Sequence, residues 1–177
     1  NPKYFLQCAI WNPFLKPEDN EKVVQVLTEG KKYFNVNFLG FMPTNDVYND
    51  FLNSADIILG MSGGEGWGLP EFQSVALGKH AVILNSSGYK SWSNENNSVL
   101  VEPTGKIECY DGMFFHKGQP WNQGNIYDFD KSDFLDGCDK AVTRFQDEEE
   151  NKSGLELQEQ FTYEKTWGLI DDELKKL

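Results

Sequence analysis

The chain contains little positive charge and few histidines. Its 177 residues include one arginine and two histidines, and 28 acidic against 16 basic residues give a formal net charge of −12. Nucleic-acid surfaces need clustered Lys and Arg to meet the phosphate backbone, so this composition argues against a nucleic-acid partner. Because His80 and His116 lie far apart in the sequence, no zinc cluster is expected.

Cysteines and long apolar runs are also scarce. Cys8, Cys109 and Cys138 are odd in number and scattered, which favours a reducing compartment and indicates no metal site. No apolar run approaches the roughly 18 to 20 residues that span a bilayer, and no signal-peptide pattern opens the chain. We therefore expect a cytoplasmic protein. Since the sequence starts at N-P-K without Met and runs straight into a strand-like segment, a fragment or excised domain is expected.

Short apolar runs alternate with helical patterns along the first hundred residues. The predicted strands are 3–10, 35–40, 55–59, 80–84 and 98–103, and the predicted helices between them are 18–34, 44–54 and 69–78. Strands and helices that alternate at this spacing are typical of βαβ units. The sequence thus predicts a three-layer, Rossmann-like α/β fold with a core at 3–101 and a parallel sheet of about five strands.

The rest of the chain follows a different pattern. Residues 102–128 are rich in Gly and aromatic residues without a clear period, so we expect an ordered but irregular loop. Residues 130–177 are predicted to be helical, interrupted by the acidic run D-E-E-E-N-K, which we interpret as a solvated helix end or loop. The whole of 1–177 is expected to form a single domain.

The stretch 61–73, M-S-G-G-E-G-W-G-L-P-E-F-Q, connects a predicted strand to a predicted helix. Ligands bind at the carboxyl ends of parallel strands, where the free N–H groups and positive dipole end of a helix attract anions and hydroxyl oxygens. Pro70 suits the first helical position, because it has no N–H group to leave unsatisfied, and glycines let a ligand approach the backbone. The stretch has neither the Walker A pattern nor G-x-G-x-x-G. Glu65 would repel phosphate but accept hydrogen bonds from sugar hydroxyls, which indicates a sugar attached to a phosphate.

The same residues resemble a known family. E-G-W-G-L-P-E-F-Q-S-V-A-L-G-K-H-A-V-I-L-N is similar to the donor-binding segment of retaining GT-B glycosyltransferases of family 4 (group 1), usually E-G-F-G-L-P-x-L-E-A-M-A-x-G-x-P-V-I. N-V-N-F-L-G-F-M-P, S-A-D-I-I-L-G-M-S and Q-F-T-Y-E-K-T-W resemble further segments of that family. The resemblance covers most of the chain and is most specific over 65–80. It implies the C-terminal, donor-binding half of a GT-B fold.

The resemblance also implies an activity and a set of site residues. The activity is transfer of a hexose, with retention, from a UDP- or GDP-sugar to a sugar or lipid acceptor. The first glutamate of the family motif contacts the transferred sugar, which implies a catalytic role for Glu65. The second glutamate, which contacts ribose, is replaced here by Gln73, whose amide can accept and donate but carries no charge. The donor-binding positions are Ser62, Gly63, Gly64, Gly66, Trp67, Gly68, Leu69 and Gln73.

Two parts of the family pattern have no counterpart in this sequence. The phosphate-binding Arg and Lys of the family have no visible equivalents, and the N-terminal acceptor domain is missing. We therefore expect the chain to be inactive alone. The resemblance implies no metal and no cofactor beyond the nucleotide sugar, because the family uses basic residues and helix dipoles instead. For the full enzyme, it is compatible with peripheral association with a membrane.

Several alternatives stay open at this point. The chain could be a non-catalytic nucleotide-sugar-binding module, a degenerate domain used for protein contacts, or another GT-B-like sugar enzyme such as an epimerase. An acceptor domain upstream in the full gene would favour the transferase. Trp67 could pack under the loop rather than touch a ligand, and Gln73 could be an ordinary exposed helix residue. His116, with Trp121 and Tyr110, could form an acceptor-side patch or simply stabilise an aromatic loop.

Overall fold

The structure of the chain is a computed structural model that describes residues 4–33, 35–110, 112 and 114–176. The chain divides into two compact units, Asn1–Asp50 and Phe51–Leu177. Within the described residues the protein is a mixed α/β structure with parallel sheets and six α-helices. Each unit is described by itself below.

The first unit contains one βαβ element. Strands β1 (Leu6–Cys8) and β2 (Val36–Phe38) pair in parallel, and helix α1 (Pro17–Leu27) lies between them in the sequence. Proline in the first turn leaves no N–H group unsatisfied, which favours the observed start of α1. The prediction that this helix continues to 34 is wrong, because the chain enters left-handed conformations at Glu29 and Gly30. Residue 34 itself lies outside the described residues.

The second unit contains a three-stranded parallel sheet. Its strands are β3 (Ile57–Gly60), β4 (His80–Leu84) and β5 (Val99–Val101), in the order β3-β4-β5. Helix α2 (Asn45–Asn53) runs across the division between the units and leads into β3, and helix α3 (Leu69–Ala76) connects β3 to β4. The predicted bounds of these five elements are confirmed to within about two residues, as is the parallel pairing.

The predicted single sheet of about five strands needs correction. Among the described residues, β1 and β2 form a two-stranded parallel sheet in the first unit, and β3, β4 and β5 form a three-stranded parallel sheet in the second. Strands β1 and β2 are only three residues each, so they contribute few ladder hydrogen bonds. The βαβ rhythm predicts the direction of neighbouring strands, whereas which strands share a sheet depends on tertiary packing.

The segment 102–128, which was predicted to be irregular, contains an antiparallel hairpin. Strands β6 (Gly105–Glu108) and β7 (Asn125–Asp128) pair with Gly105 opposite Asp128. Each strand is only four residues long, so sequence alternation is too short to show a period of two. The ammonium group of Lys106 lies 4.6 Å from the ring centroid of Tyr127 across the hairpin, and this cation–π contact supports the pairing.

Helices cover both faces of the β3-β4-β5 sheet. Along β4, Ala81 and Ile83 join one buried cluster and Val82 joins another, because successive side chains of a strand point to opposite faces. Helix α4 (Lys131–Asp147) covers the Val82 face, where Gly137 allows close approach, and helix α5 (Lys152–Gln160) packs against α3. The second unit is therefore a three-layer arrangement of helix, sheet and helix.

The C-terminal residues are helical, as predicted. Helix α4 is followed by an exposed acidic run at 147–150, then by α5 and by helix α6 (Tyr163–Leu174). The interpretation of the acidic run as a solvated helix end or loop is confirmed for 147–150, whereas Asn151 of the same run is buried and caps α5. Across the described ranges, none of the helices combines the length and apolar character that crossing a membrane requires.

Candidate functional site

The glycine-rich loop, residues 61–68, lies between the carboxyl end of β3 and the N-terminus of α3. Gly68 has a φ of 76°, in the left-handed region, and an added Cβ atom there would lie 2.1 Å from Cε1 of Tyr89. Only glycine fits this position without strain. Because Gly68 occupies the N-cap position, no side chain caps the first turn of α3. The helix therefore offers its uncapped first turn at the edge of the sheet where α/β proteins bind ligands.

A 3₁₀-helix at Ser87–Ser91 fixes one side of this loop. The backbone N–H of Glu65 donates to Oγ of Ser87 over 3.1 Å, and the N–H of Gly88 donates to the carbonyl of Glu65 over 2.9 Å. An added Cβ at Gly88 would lie 2.3 Å from the carbonyl oxygen of Gly66. Both the N–H group and the carbonyl group of Glu65 are thus held by hydrogen bonds to the 3₁₀-helix.

The β6-β7 hairpin fixes the loop at a second place. The backbone N–H of Tyr127 donates to the carbonyl of Gly63 over 2.8 Å. An added Cβ at Gly63 would lie 2.6 Å from the carbonyl oxygen of Tyr127 and 2.9 Å from Cβ of Ile126. The hydroxyl of Ser62 donates to the carbonyl of Gly64 within the loop, 3.4 Å away. The hairpin therefore borders the candidate site, although the sequence indicated only an irregular loop.

Trp67 contributes mainly to packing. Its ring makes edge-to-face contacts with Phe72 and Phe161, with ring centroids 5.6 and 5.3 Å apart, and its carbonyl accepts from Nε1–H of Trp92 over 2.8 Å. Such contacts stabilise the base of the loop. This arrangement favours the packing interpretation of the Trp67 side chain, while its backbone stays part of the loop.

The remaining predicted donor-binding residues differ in exposure. Gly64, Gly66, Leu69 and Gln73 are exposed, whereas Ser62, Gly63 and Glu65 are half-buried and Gly68 is buried. Exposed glycine backbone can be reached by a ligand, and Gln73 lies on the first two turns of α3. The predicted set, which falls within 62–73 of the sequence, lies in the loop after β3 and in α3 of the second unit.

A polar cluster that the sequence analysis did not identify lies behind the loop. Tyr89 is fully buried, and its hydroxyl makes no hydrogen bond of ordinary geometry within the described part of the chain. Burial raises the pKa of Tyr89, and the charges of Glu71 and Glu65 raise it further, while the backbone N–H of Ser62 opposes the change. Burial also raises the pKa of Glu71, with a smaller contribution from the charge of Glu65. Two carboxyl groups and a phenol therefore interact electrostatically here.

The residues of this cluster lie in two glycine-containing stretches of the sequence, but the sequence does not show that the two stretches meet. Glu71 follows Pro70 in the motif, and Tyr89 follows the glycine of S-S-G-Y. Both Gly68 and Gly88 exclude a side chain because of their close neighbours, and those neighbours are distant in sequence. Only the tertiary structure shows that Gly68 lies against the Tyr89 ring and that Gly88 lies against the backbone of Gly66.

The one arginine of the sequence, Arg144, lies away from the loop. Its Nη1 donates to the carbonyl of Ser98 over 3.1 Å and its Nη2 to the carbonyl of Glu95 over 3.0 Å. Ser98 directly precedes β5, so Arg144 lies at the amino ends of the parallel strands, opposite the glycine-rich loop. The guanidinium stabilises that turn and is not available to a phosphate at the loop.

Neither of two cavities of about 340 Å³ coincides with the loop. One is lined by residues including Asp56, Lys79 and Glu150, at the amino ends of β3 and β4, and the other is an apolar cavity within the first unit. Ligand sites in open α/β sheets lie at the opposite edge, where the glycine-rich loop lies. In the described residues, no three His, Cys, Asp or Glu side chains are placed together to hold a metal ion.

The suggested acceptor-side residues lie on the connection between β6 and β7. Tyr110, His116 and Trp121 are all exposed, and the connection is closed by Gln123, which accepts from the backbone N–H of His116 and donates to its carbonyl. The imidazole takes no part in these two bonds. Residues 111 and 113 of this segment lie outside the described residues.

No protein-family model matches the chain, and no curated protein matches it significantly. Its function is therefore inferred from the geometry and chemistry of the loop and of the residues that surround it.

Proposed function

We propose that the chain is the donor-binding half of a retaining GT-B glycosyltransferase of the family-4 type, and that it binds a UDP- or GDP-sugar. One observation carries this proposal: Glu65 lies half-buried in glycine backbone between the carboxyl end of β3 and the uncapped N-terminus of α3. A diphosphate is favoured at such a helix start, and a carboxylate beside it accepts hydrogen bonds from sugar hydroxyls.

Each part of the loop has a role in this proposal. The exposed backbone of Gly64 and Gly66 lets the diphosphate approach N–H groups, and the dipole of α3 stabilises charge that develops on the leaving phosphate. Glu65 orients the transferred sugar. Gln73, exposed on α3, hydrogen-bonds the ribose hydroxyls. No metal-dependent step is required.

Transfer also needs an acceptor glycan or lipid, held against the donor by a facing domain. Such positioning contributes roughly 7 to 11 kcal/mol to lowering a barrier, so residues 1–177 alone bind donor without transferring it. The net charge of −12 opposes diphosphate binding, which keeps the affinity weak. In this proposal the full enzyme is cytoplasmic, and it reaches a lipid acceptor by peripheral association with the membrane.

Calorimetric titration with UDP-glucose and GDP-mannose tests this function. We expect the chain to bind at least one of them and Glu65→Ala to bind it about tenfold or more weakly, as the loss of a hydrogen bond to a charged group implies. Glu156→Ala, at an exposed position of α5 in the same unit, is the matched control and keeps full affinity. Equal affinities of Glu65→Ala and the unchanged protein would remove Glu65 from the site. Failure of the unchanged protein to bind either sugar nucleotide would reject the function.

A second function, a non-catalytic nucleotide-sugar-binding module, is favoured by two observations. Gln73 stands where the family has a glutamate, and Arg144 is bonded at the opposite edge of the sheet. The two functions, transferase and binding module, are distinguished by measuring hexose transfer in the presence of a facing acceptor domain. Donor binding with transfer supports the enzyme, and donor binding without transfer supports the module.

A further inference from the structure

We propose that Tyr89 is a positioning residue of the sugar site, whose hydroxyl acts with the Glu71 carboxyl to orient Glu65. This inference rests on the proposed function and deepens it. It distinguishes the part of the site that recognises the sugar from the part that recognises the nucleoside diphosphate.

The first step is the backbone connection between Tyr89 and Glu65. The two residues that precede Tyr89, Ser87 and Gly88, hold the N–H and the carbonyl of Glu65, at 3.1 and 2.9 Å. Both belong to the same short 3₁₀-helix as Tyr89. A change in the position of Tyr89 therefore also moves the residues that hydrogen-bond the backbone of Glu65.

The second step is the direction of the Glu71 side chain. An added Cβ at Gly60 would lie 2.7 Å from Cγ of Glu71, and one at Gly68 would lie 3.2 Å from its Oε2. The side chain therefore runs back beneath the loop rather than outward from α3. The Gly68 position also lies against the Tyr89 ring, so the carboxyl of Glu71 and the ring of Tyr89 meet under the same residue.

The third step is the state of the Tyr89 hydroxyl. The side chain is fully buried, yet within the described residues this hydroxyl has no hydrogen-bond partner of ordinary geometry. An unsatisfied buried hydroxyl costs stability, and such groups in native structures often have a functional reason. The carboxyl of Glu71, which lies against the same Gly68 position as the Tyr89 ring, is the acceptor that the geometry offers this hydroxyl. A small shift of the Glu71 carboxyl when a sugar hydroxyl binds Glu65 completes this hydrogen bond.

Tyr89→Phe isolates the hydroxyl, because the ring that packs against Gly68 is kept. We expect this variant to bind the sugar nucleotide about tenfold more weakly and the corresponding nucleoside diphosphate within about twofold of the unchanged chain. Thermal stability is expected to stay the same or rise, because an unsatisfied buried hydroxyl is removed. Tyr163→Phe, at a position that is 93% exposed, is the control and changes neither affinity.

A double-mutant cycle tests whether the effect passes through Glu65. In the Glu65→Ala background, Tyr89→Phe should cause no further loss of affinity for the sugar nucleotide. The inference is overturned if Tyr89→Phe leaves the affinity unchanged, if it weakens sugar nucleotide and nucleoside diphosphate equally, or if the two losses add. These outcomes leave donor binding itself intact, whereas an unchanged chain that binds no sugar nucleotide rejects the proposed function, and this inference with it.

Discussion

Adding one methyl group at Gly88 tests whether the 3₁₀-helix shapes the glycine-rich loop. An added Cβ would lie 2.3 and 2.4 Å from the carbonyl oxygen and carbon of Gly66 and 2.7 Å from the amide nitrogen of Trp67. All three are backbone atoms, so no side-chain rotation can relieve the overlap. Overpacking of this kind costs about 1–3 kcal/mol, and we expect Gly88→Ala to lie near the upper end. For a chain of this size, that corresponds to a fall in melting temperature of roughly 4–10 °C.

Thermal unfolding of the full chain, followed by tryptophan fluorescence, measures this change because Trp92 is buried beside the affected loop. Gly66→Ala is a matched control in the same loop, since an added Cβ there meets no atom within 4 Å. We expect it to keep its stability within about 0.5 kcal/mol while it weakens sugar-nucleotide binding, because the methyl group stands where a ligand approaches the backbone. If Gly88→Ala has the same melting temperature as the unchanged protein, the close contact between the 3₁₀-helix and the loop does not exist.

Two further predictions concern buried polar groups of the second unit. Burial raises the pKa of Glu71 above its ordinary 4.5, so the folded state binds the carboxyl proton more tightly than the unfolded state does. Protonated Glu71 therefore stabilises the folded state at low pH, and this contribution is lost as the pH rises through the raised pKa. The free energy of unfolding of Glu71→Gln, relative to that of the unchanged protein, should therefore be higher at pH 7 than at pH 4. The same difference in free energy at both pH values would contradict this prediction. Asn151→Ala removes donations to the carbonyls of Lys79 and Asn97 and an acceptor for Gly154 N–H, and should cost about 2–4 kcal/mol in urea unfolding. A cost below about 1 kcal/mol would show that these bonds contribute little.

Local sequence patterns predicted the elements whose ends are marked by local chemistry. Strand β4 (His80–Leu84) starts and ends as predicted, because an apolar run is bounded by Gly78-Lys79 and Asn85. Helix α3 starts as predicted because Gly68 and Pro70 define its first turn. In contrast, the β6-β7 hairpin was missed, since its two four-residue strands are stabilised mainly by each other across a long connection.

The candidate site could be located from sequence but only partly described. Glu65 and the glycines around it indicated a ligand-binding loop because glycine and carboxylate chemistry is local. The position of Glu71 beneath the loop depends on contacts with Gly60 and Tyr89. Such contacts join residues far apart in the chain, so no local pattern contains them.

The way the glycine-rich loop is held also determines when the site can form during synthesis. The loop depends on Ser87 and Trp92, which follow their partners by 22 and 25 positions, and on Tyr127 of β7, which follows later still. Chains emerge from the ribosome at roughly 5–20 residues per second, so the loop and its glycines exist for seconds before any of these partners can contact them. A nascent chain halted before β7 would contain every residue of the motif without the complete set of contacts that gives it its shape. Arrested chains should therefore bind donor only when they are long enough to include β7. Binding depends on contacts made across the second unit and not on the motif alone.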